Sequence, residues 1–172
     1  MKKNYIFKIL IAGDAAVGKT SLLLRYVEDR FDESMTMTLG VDFFLKQVTI
    51  DSGVNCLFQL WDLGGQERFR HLMPSYVAGA RGALLLIDLT REPVINSLVQ
   101  WLNIVRLHDI NLPIVLVGTK EDLKDLIVVD AEAAKEIKET FNLIHYIKTS
   151  AKSGNNVTAV FDFMAKMLME AD

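Results

Sequence analysis

Gly13-Asp14-Ala15-Ala16-Val17-Gly18-Lys19-Thr20 fills every fixed position of the pattern G-x-x-x-x-G-K-[ST]. The run before it, Ile6-Phe7-Lys8-Ile9-Leu10-Ile11-Ala12, is apolar and β-branched, as a buried strand is. After it, Ser21-Leu22-Leu23-Leu24-Arg25-Tyr26-Val27 has the composition of a helix. The motif therefore occupies a turn from strand to helix. Its two glycines let the backbone bend around a phosphate chain with N–H groups pointing inward. The helix starting there adds free N–H groups and a positive dipole end. Lys19 offers an ammonium to β- and γ-phosphates, and the Thr20 hydroxyl is a ligand for Mg²⁺. The competing reading, a glycine turn with no ligand, does not explain why the lysine and threonine stand at the helix start. The loop points to a nucleoside triphosphate and leaves the base open.

The chain has 172 residues, enough for one domain with a full core, and we expect a single domain over 1–172. With 51% hydrophobic and 24% charged residues it reads as globular. A net charge of −3 without a long basic run argues against nucleic acid as the main partner. The one cysteine, Cys56, cannot form an internal disulfide and reads as a packed residue in a reducing compartment. Met1-Lys2-Lys3-Asn4-Tyr5 leads straight into the first strand, too short for a signal peptide. No apolar run approaches the ~20 residues of a membrane span. Lys2 rules out myristoylation, and Met169-Glu170-Ala171-Asp172 carries no prenylation signal. We expect a cytoplasmic protein that reaches a membrane only through a lipidated tail outside this sequence.

Strand-like and helix-like stretches alternate beyond the loop. Leu39 to Ile50 and Val54 to Trp61 are strand candidates joined by the turn signal Asp51-Ser52-Gly53. Ala83 to Ile87 and Pro113 to Val117 are unbroken apolar runs, typical of strands buried on both faces of a parallel sheet. Leu143 to Lys148 is a shorter candidate. Helical stretches are expected over Arg68 to Val77, Val94 to His108, Asp130 to Phe141 and Asn156 to Glu170. In the last, Val157, Val160, Phe161, Met164 and Leu168 form a stripe that we assign to the core. The pattern predicts an α/β fold: a mostly parallel six-stranded sheet with one antiparallel edge strand and helices on both faces. Ligands then sit beyond the carboxyl ends of the strands.

Three more motifs fall there. Asp62-Leu63-Gly64-Gly65-Gln66-Glu67 follows Leu57–Trp61. Asp62 is placed to hold Mg²⁺, through a water, and Gly65 to bring its N–H to a γ-phosphate. Gln66 is suited to orient an attacking water; alone, the segment also reads as a surface turn. Thr119-Lys120-Glu121-Asp122 follows Ile114–Val117. The Asp122 carboxylate accepts from two donors on one edge of guanine; adenine has none there and leaves a buried carboxylate unpaired. The Lys120 stem covers the base plane. Taken alone, this is also an ordinary Thr-capped helix start. Thr149-Ser150-Ala151-Lys152 follows the last strand. There the Ala151 N–H is a donor for a guanine oxygen and Lys152 packs on the base, although alone it is a common surface loop.

With these segments in order and spaced over nearly the whole chain, the sequence resembles the Ras superfamily of small GTPases, and most of all the Rab family. Thr38-Leu39-Gly40-Val41-Asp42-Phe43 resembles the first Rab switch, and Trp61-Asp62-Leu63-Gly64-Gly65-Gln66-Glu67-Arg68-Phe69-Arg70 the second. Ser75-Tyr76 and Leu86-Ile87-Asp88-Leu89-Thr90 are also similar. The resemblance implies the P-loop NTPase fold of small G proteins, binding of GTP and GDP with Mg²⁺, and slow hydrolysis of GTP. It implies protein effectors, an exchange factor and a GTPase-activating protein as partners. It assigns Gln66, Lys19 and Gly65 to catalysis, and Thr20, Thr38 and Asp62 to the metal. Ala15, Ala16, Val17, Gly18, Lys19, Thr20 and Ser21 surround the phosphates, with Thr38 and Gly65 at the γ-phosphate. Phe31, Thr119, Lys120, Asp122, Ser150, Ala151 and Lys152 surround the base. Phe43, Trp61 and Tyr76 match the aromatic trio that Rab proteins present to effectors, a role that requires partial exposure; they read equally as strand and helix core residues. Leu63-Gly64 replaces the usual Thr-Ala and resembles Arf-like proteins. Met35 stands where many relatives have tyrosine, Ala15 and Ala16 where Gly or Ser is usual, and the Rab cysteine tail is absent from the sequence. Arg68 and Arg70 are expected to face solvent at a helix start. Two other functions compete with the hydrolysing switch: a nucleotide-binding scaffold that hardly hydrolyses, and an ATP-using kinase or ATPase, against which Asp122 argues.

Overall fold

The computed structural model describes residues 4–35, 37–50 and 53–172. Met1–Lys3 and the Asp51-Ser52 part of the expected turn lie outside the described residues. Six strands form one sheet: β1 (Asn4–Ala12), β2 (Val41–Thr49), β3 (Asn55–Leu63), β4 (Gly82–Asp88), β5 (Ile114–Thr119) and β6 (His145–Lys148). Their spatial order is β2-β3-β1-β4-β5-β6. Every neighbouring pair is parallel except β2 with β3, where Val41 pairs Leu63 and Thr49 pairs Asn55. The architecture is the mostly parallel six-stranded α/β sheet with one antiparallel edge strand that the sequence predicts.

The helices are α1 (Lys19–Glu28), α2 (Ile95–Val105), α3 (Ala131–Thr140) and α4 (Val157–Glu170). Alternation along β1 divides them between the two faces, because successive side chains of a strand point to opposite sides. Phe7, Ile9 and Ile11 join Leu22, Leu23 and Tyr26 of α1 and Val160, Phe161 and Met164 of α4 in one core. Leu10 and Ala12 join Leu98, Trp101 and Leu102 of α2 and Ala134 and Ile137 of α3 in the other. The α4 stripe is buried throughout, as expected, and Cys56 is buried in the first core with its thiol pKa pushed up to about 11 by burial.

Three local features differ from the sequence reading. Asp62 lies inside β3, opposite Asp42 and Ile11, because pairing on both sides carries the strand on to Leu63. Thr119 is likewise the last residue of β5, paired with Asp88. Residues Glu67–Tyr76 form a 3₁₀ helix that contains Pro74 and buries only Met73. Proline removes an N–H and clashes with the preceding turn, which disfavours a regular α-helix there.

Candidate functional site

The phosphate loop is shaped by its first glycine. Gly13 has φ of 147°, and a Cβ there would lie 2.7 Å from the Leu86 carbonyl oxygen. Ala16 holds φ of 63° without the freedom of glycine, a conformation that costs about 1–2 kcal/mol. α1 then begins with no side-chain cap and no acidic residue in its first turn, which leaves its N-terminal N–H groups for an external acceptor. Lys19 is buried, and its Nζ donates to the carbonyls of Gly13 at 2.8 Å and Asp14 at 2.9 Å. Burial lowers its pKa to about 8, opposed by the carboxylates of Asp62 and Asp14.

Beside Lys19 three oxygen-bearing side chains converge. Thr20 Oγ1 lies 2.6 Å from Thr38 Oγ1 and donates to Asp62 Oδ2 at 2.5 Å, and Thr38 Oγ1 is 3.2 Å from the same oxygen. Asp62 is fully buried, burial raises its pKa, and its Oδ1 has no hydrogen-bond partner. A buried carboxylate oxygen left without a donor is costly unless a cation completes the site. Two hydroxyls and one carboxylate are hard donors of the kind that hold Mg²⁺. The residues fit the metal the sequence implies.

A cavity of about 400 Å³ opens between the phosphate loop, residues 31–35, Met37, Thr38 and the ends of β5 and β6. It is lined by all of the residues assigned above to catalysis, phosphates, base and metal except Val17, Asp62 and Ser150. These three stand behind the wall. The Val17 carbonyl accepts from Thr119 Oγ1 at 2.5 Å, and the buried Ser150 hydroxyl donates to Asp122 Oδ1 at 2.8 Å. Lys120, at φ of 63°, reaches across to the Ala16 carbonyl at 3.0 Å and to Asp88 Oδ2 at 2.7 Å. Burial pushes the Asp88 pKa up, but hydrogen bonds from Lys120 and Thr90 outweigh it and the net direction is down.

Further residues support the site or line it. Arg25 of α1 donates to the carbonyls of Ala151 at 2.7 Å and Lys152 at 2.9 Å, and so seats the last loop. Met35, Met37 and Thr149 line the cavity, and Lys152 pairs with Glu33 at 3.2 Å. Asp88 lies in the Leu86–Thr90 segment that resembles Rab proteins, which gives it no role by itself. Arg70 corrects the expectation of a solvent-facing residue: its side chain is 12% exposed and is bonded to Asp14, Ser97 and Gln100. Arg68 also has an internal partner, donating to Gln66 Oε1 at 2.7 Å.

On the outer face of the sheet Phe43 and Trp61 pack edge to face at 5.1 Å between centroids, and Trp61 lies 6.2 Å from Tyr76. Phe43 is 44% and Tyr76 37% exposed, whereas Trp61 packs against the second core with its Nε1 buried, so the trio is a partly exposed cluster anchored in the core. The Lys8 ammonium sits 4.2 Å over the Trp61 ring.

Most of the residues that the sequence assigns to phosphates, metal and base thus meet around one cavity. The Ras family model matches residues 8–170. The chain is 41% identical over 165 residues to "Ras-related protein RABA5a" of Arabidopsis thaliana, covering 95% of this chain and 74% of that one. It is 38% identical over 168 residues to "GTP-binding protein ypt1" of Schizosaccharomyces pombe, covering 97% and 82% respectively. The chain belongs to the Ras family. Among the described residues no helix is long and apolar enough to cross a membrane.

Proposed function

We propose that the chain is a Rab-like molecular switch that binds GTP and GDP with Mg²⁺ and hydrolyses GTP slowly, with residues 1–172 acting as one G domain. The observation that carries this reading is the convergence of the Thr20 and Thr38 hydroxyls on Asp62 Oδ2 beside Lys19, with the other carboxylate oxygen, Oδ1, buried and unpartnered. Mg²⁺ supplies charge neutralisation of the phosphates when bound. Thr20 and Thr38 give it hydroxyls, and Asp62 faces it from the wall. Lys19 and the loop N–H groups hold the phosphates, while Gly65 approaches from the opposite side. An added Cβ at Gly65 would lie 2.4 Å from the Ala15 nitrogen and 2.6 Å from Lys19 Nζ, so only glycine fits that approach. Asp122, oriented by Ser150, reads the guanine edge, with Phe31, Lys120, Ala151 and Lys152 around the base.

Because Thr38 contacts the metal site directly, the segment that carries it is tied to the nucleotide state, and partners read the difference. The exposed cluster of Phe43, Trp61 and Tyr76 is the surface an effector would read, in membrane traffic or signalling. An exchange factor and a GTPase-activating protein complete the cycle. Competition binding with Mg²⁺ present tests the base assignment: GTP and GDP displace a labelled guanine nucleotide, and a thousandfold excess of ATP does not. Equal displacement by ATP would return the chain to the kinase or ATPase reading.

A second reading, a nucleotide-binding scaffold with negligible hydrolysis, is favoured by one observation. Gln66 Oε1, the atom suited to orient water, is already bonded to Arg68. We expect Gln66→Leu to lower single-turnover GTP hydrolysis roughly tenfold or more, about 1.4 kcal/mol or above in barrier. Ala15→Gly, which clears a methyl beside the path of Gln66, is expected to raise it modestly. A Gln66→Leu rate equal to the parent's removes Gln66 from the mechanism.

A further inference from the structure

The carboxylate of Asp14 is the feature that the phosphate-binding role leaves unexplained. It sits in the loop next to the expected phosphates, where its charge is unfavourable for binding an anion. Yet its Oδ1 collects three donors from two other segments: Arg70 Nη2 at 3.0 Å, Trp101 Nε1 at 3.0 Å and the Ser97 hydroxyl. Arg70 is held on several sides. Its Nη1 donates to Gln100 Oε1 at 2.6 Å and to Ser97 Oγ at 3.1 Å, and its guanidinium lies 4.9 Å from the Trp101 ring centroid. The same Nη2 that meets Asp14 lies 3.4 Å from the Gly65 carbonyl oxygen.

One guanidinium nitrogen therefore spans the loop's carboxylate and the backbone of Gly65. The 3₁₀ helix that carries Arg70 buries one residue, so its own packing fixes its position weakly. Ser97 and Trp101 belong to the buried face of α2, a rigid support. Exposed ion pairs contribute little, but Arg70 is mostly buried and uses its planar fork on several acceptors at once.

We propose that Asp14 and Arg70 form a clasp that positions Gly65 and Gln66 over the phosphate loop and ties that placement to α2. Both are positioning residues, and neither touches the reacting atoms. Its consequence for rate rests on the GTPase reading; the clasp itself does not. Loss of either partner frees the 64–77 segment while the phosphate and base contacts remain. Trp101, through its bond to Asp14 and its stacking under Arg70, reports the state of the clasp.

Amide hydrogen exchange on the full chain tests this, without nucleotide and with Mg²⁺ and a non-hydrolysable GTP analogue. The comparison covers the parent, Asp14→Asn, Arg70→Gln and the double variant. Each single variant is expected to speed exchange across residues 64–77 about tenfold, and the double variant no further, because one interaction is lost in all three. Protection of β1 and α4 should match the parent, while single-turnover GTP hydrolysis falls about tenfold. Arg70→Lys, which keeps the charge and loses the fork, should give intermediate protection and serves if another variant folds poorly. Parent-like exchange in 64–77, or additive effects in the double variant, would overturn the clasp. A parent that binds GTP without hydrolysing it would instead refute the GTPase reading, and the exchange result would still decide the clasp.

Discussion

Asp122→Asn is expected to weaken GTP binding by about 10²–10⁴-fold and to favour xanthosine triphosphate over GTP. The Asp122 carboxylate is held by the buried Ser150 hydroxyl at 2.8 Å, which in turn accepts from the Ser153 N–H at 3.0 Å. In the proposed role, a carboxylate fixed in this way would meet two N–H donors on the guanine edge. Hydrogen bonds to a charged group contribute about 1.5–3 kcal/mol each; asparagine sets a donor against one and takes the charge from the other, so both charge-assisted contributions are forfeited, about 3–6 kcal/mol in all. Asparagine turns one acceptor into a donor, which xanthine accepts with its second oxygen. Competitive displacement of a labelled guanine nucleotide measures the change. Undiminished GTP binding in Asp122→Asn would remove this residue from base recognition.

Lys19→Met should abolish tight binding of the triphosphate, lowering affinity at least about a hundredfold through lost charge-assisted bonds. Lys19 is 6% exposed, and its ammonium donates to two carbonyls, those of Gly13 and Asp14. Burial disfavours the charged form, and the opposing carboxylates of Asp62 and Asp14 do not restore its ordinary pKa. A bound polyphosphate would compensate that burial, and the gain would appear as affinity. Methionine fills the volume and carries no charge. Calorimetric titration with GDP and GTP in Mg²⁺ reads the loss directly. Parent-like affinity would mean that the phosphates lie elsewhere.

What the sequence made legible was local. The strand–loop–helix around Gly13–Thr20 and the α4 stripe depend on neighbours within a few residues, and both stand in the structure as expected. Strand ends were harder to place. Asp62 and Thr119 read as residues beyond a strand because acids and loop-like motifs usually end one, yet pairing with partners distant in sequence keeps both in the sheet. The 3₁₀ helix was read as an ordinary helix from composition. The supporting residues were hidden for the same reason as the strand ends. Arg70 reaches Asp14 across 56 positions, Trp101 reaches it across 87, and Arg25 reaches Ala151 across 126. No periodicity or motif encodes such pairs; only the topology brings them together. The residues at the cavity wall were named from motifs, whereas those that hold the wall in place appear only in the folded chain.

The most direct measurement is single-turnover hydrolysis of Mg²⁺·GTP by the full chain, read as inorganic phosphate released from a preformed complex. The two arginines nearest Gln66 are both engaged, Arg68 with Gln66 itself and Arg70 with Asp14, so a slow intrinsic rate is expected. It should fall on the order of 10⁻⁴ to 10⁻² per second, the span of related switches without and with their own arginine. The account predicts phosphate release in that range, dependent on Mg²⁺ and at least tenfold slower in Gln66→Leu. Tight GTP binding with no phosphate released over many hours would contradict it and leave a nucleotide-binding scaffold in its place.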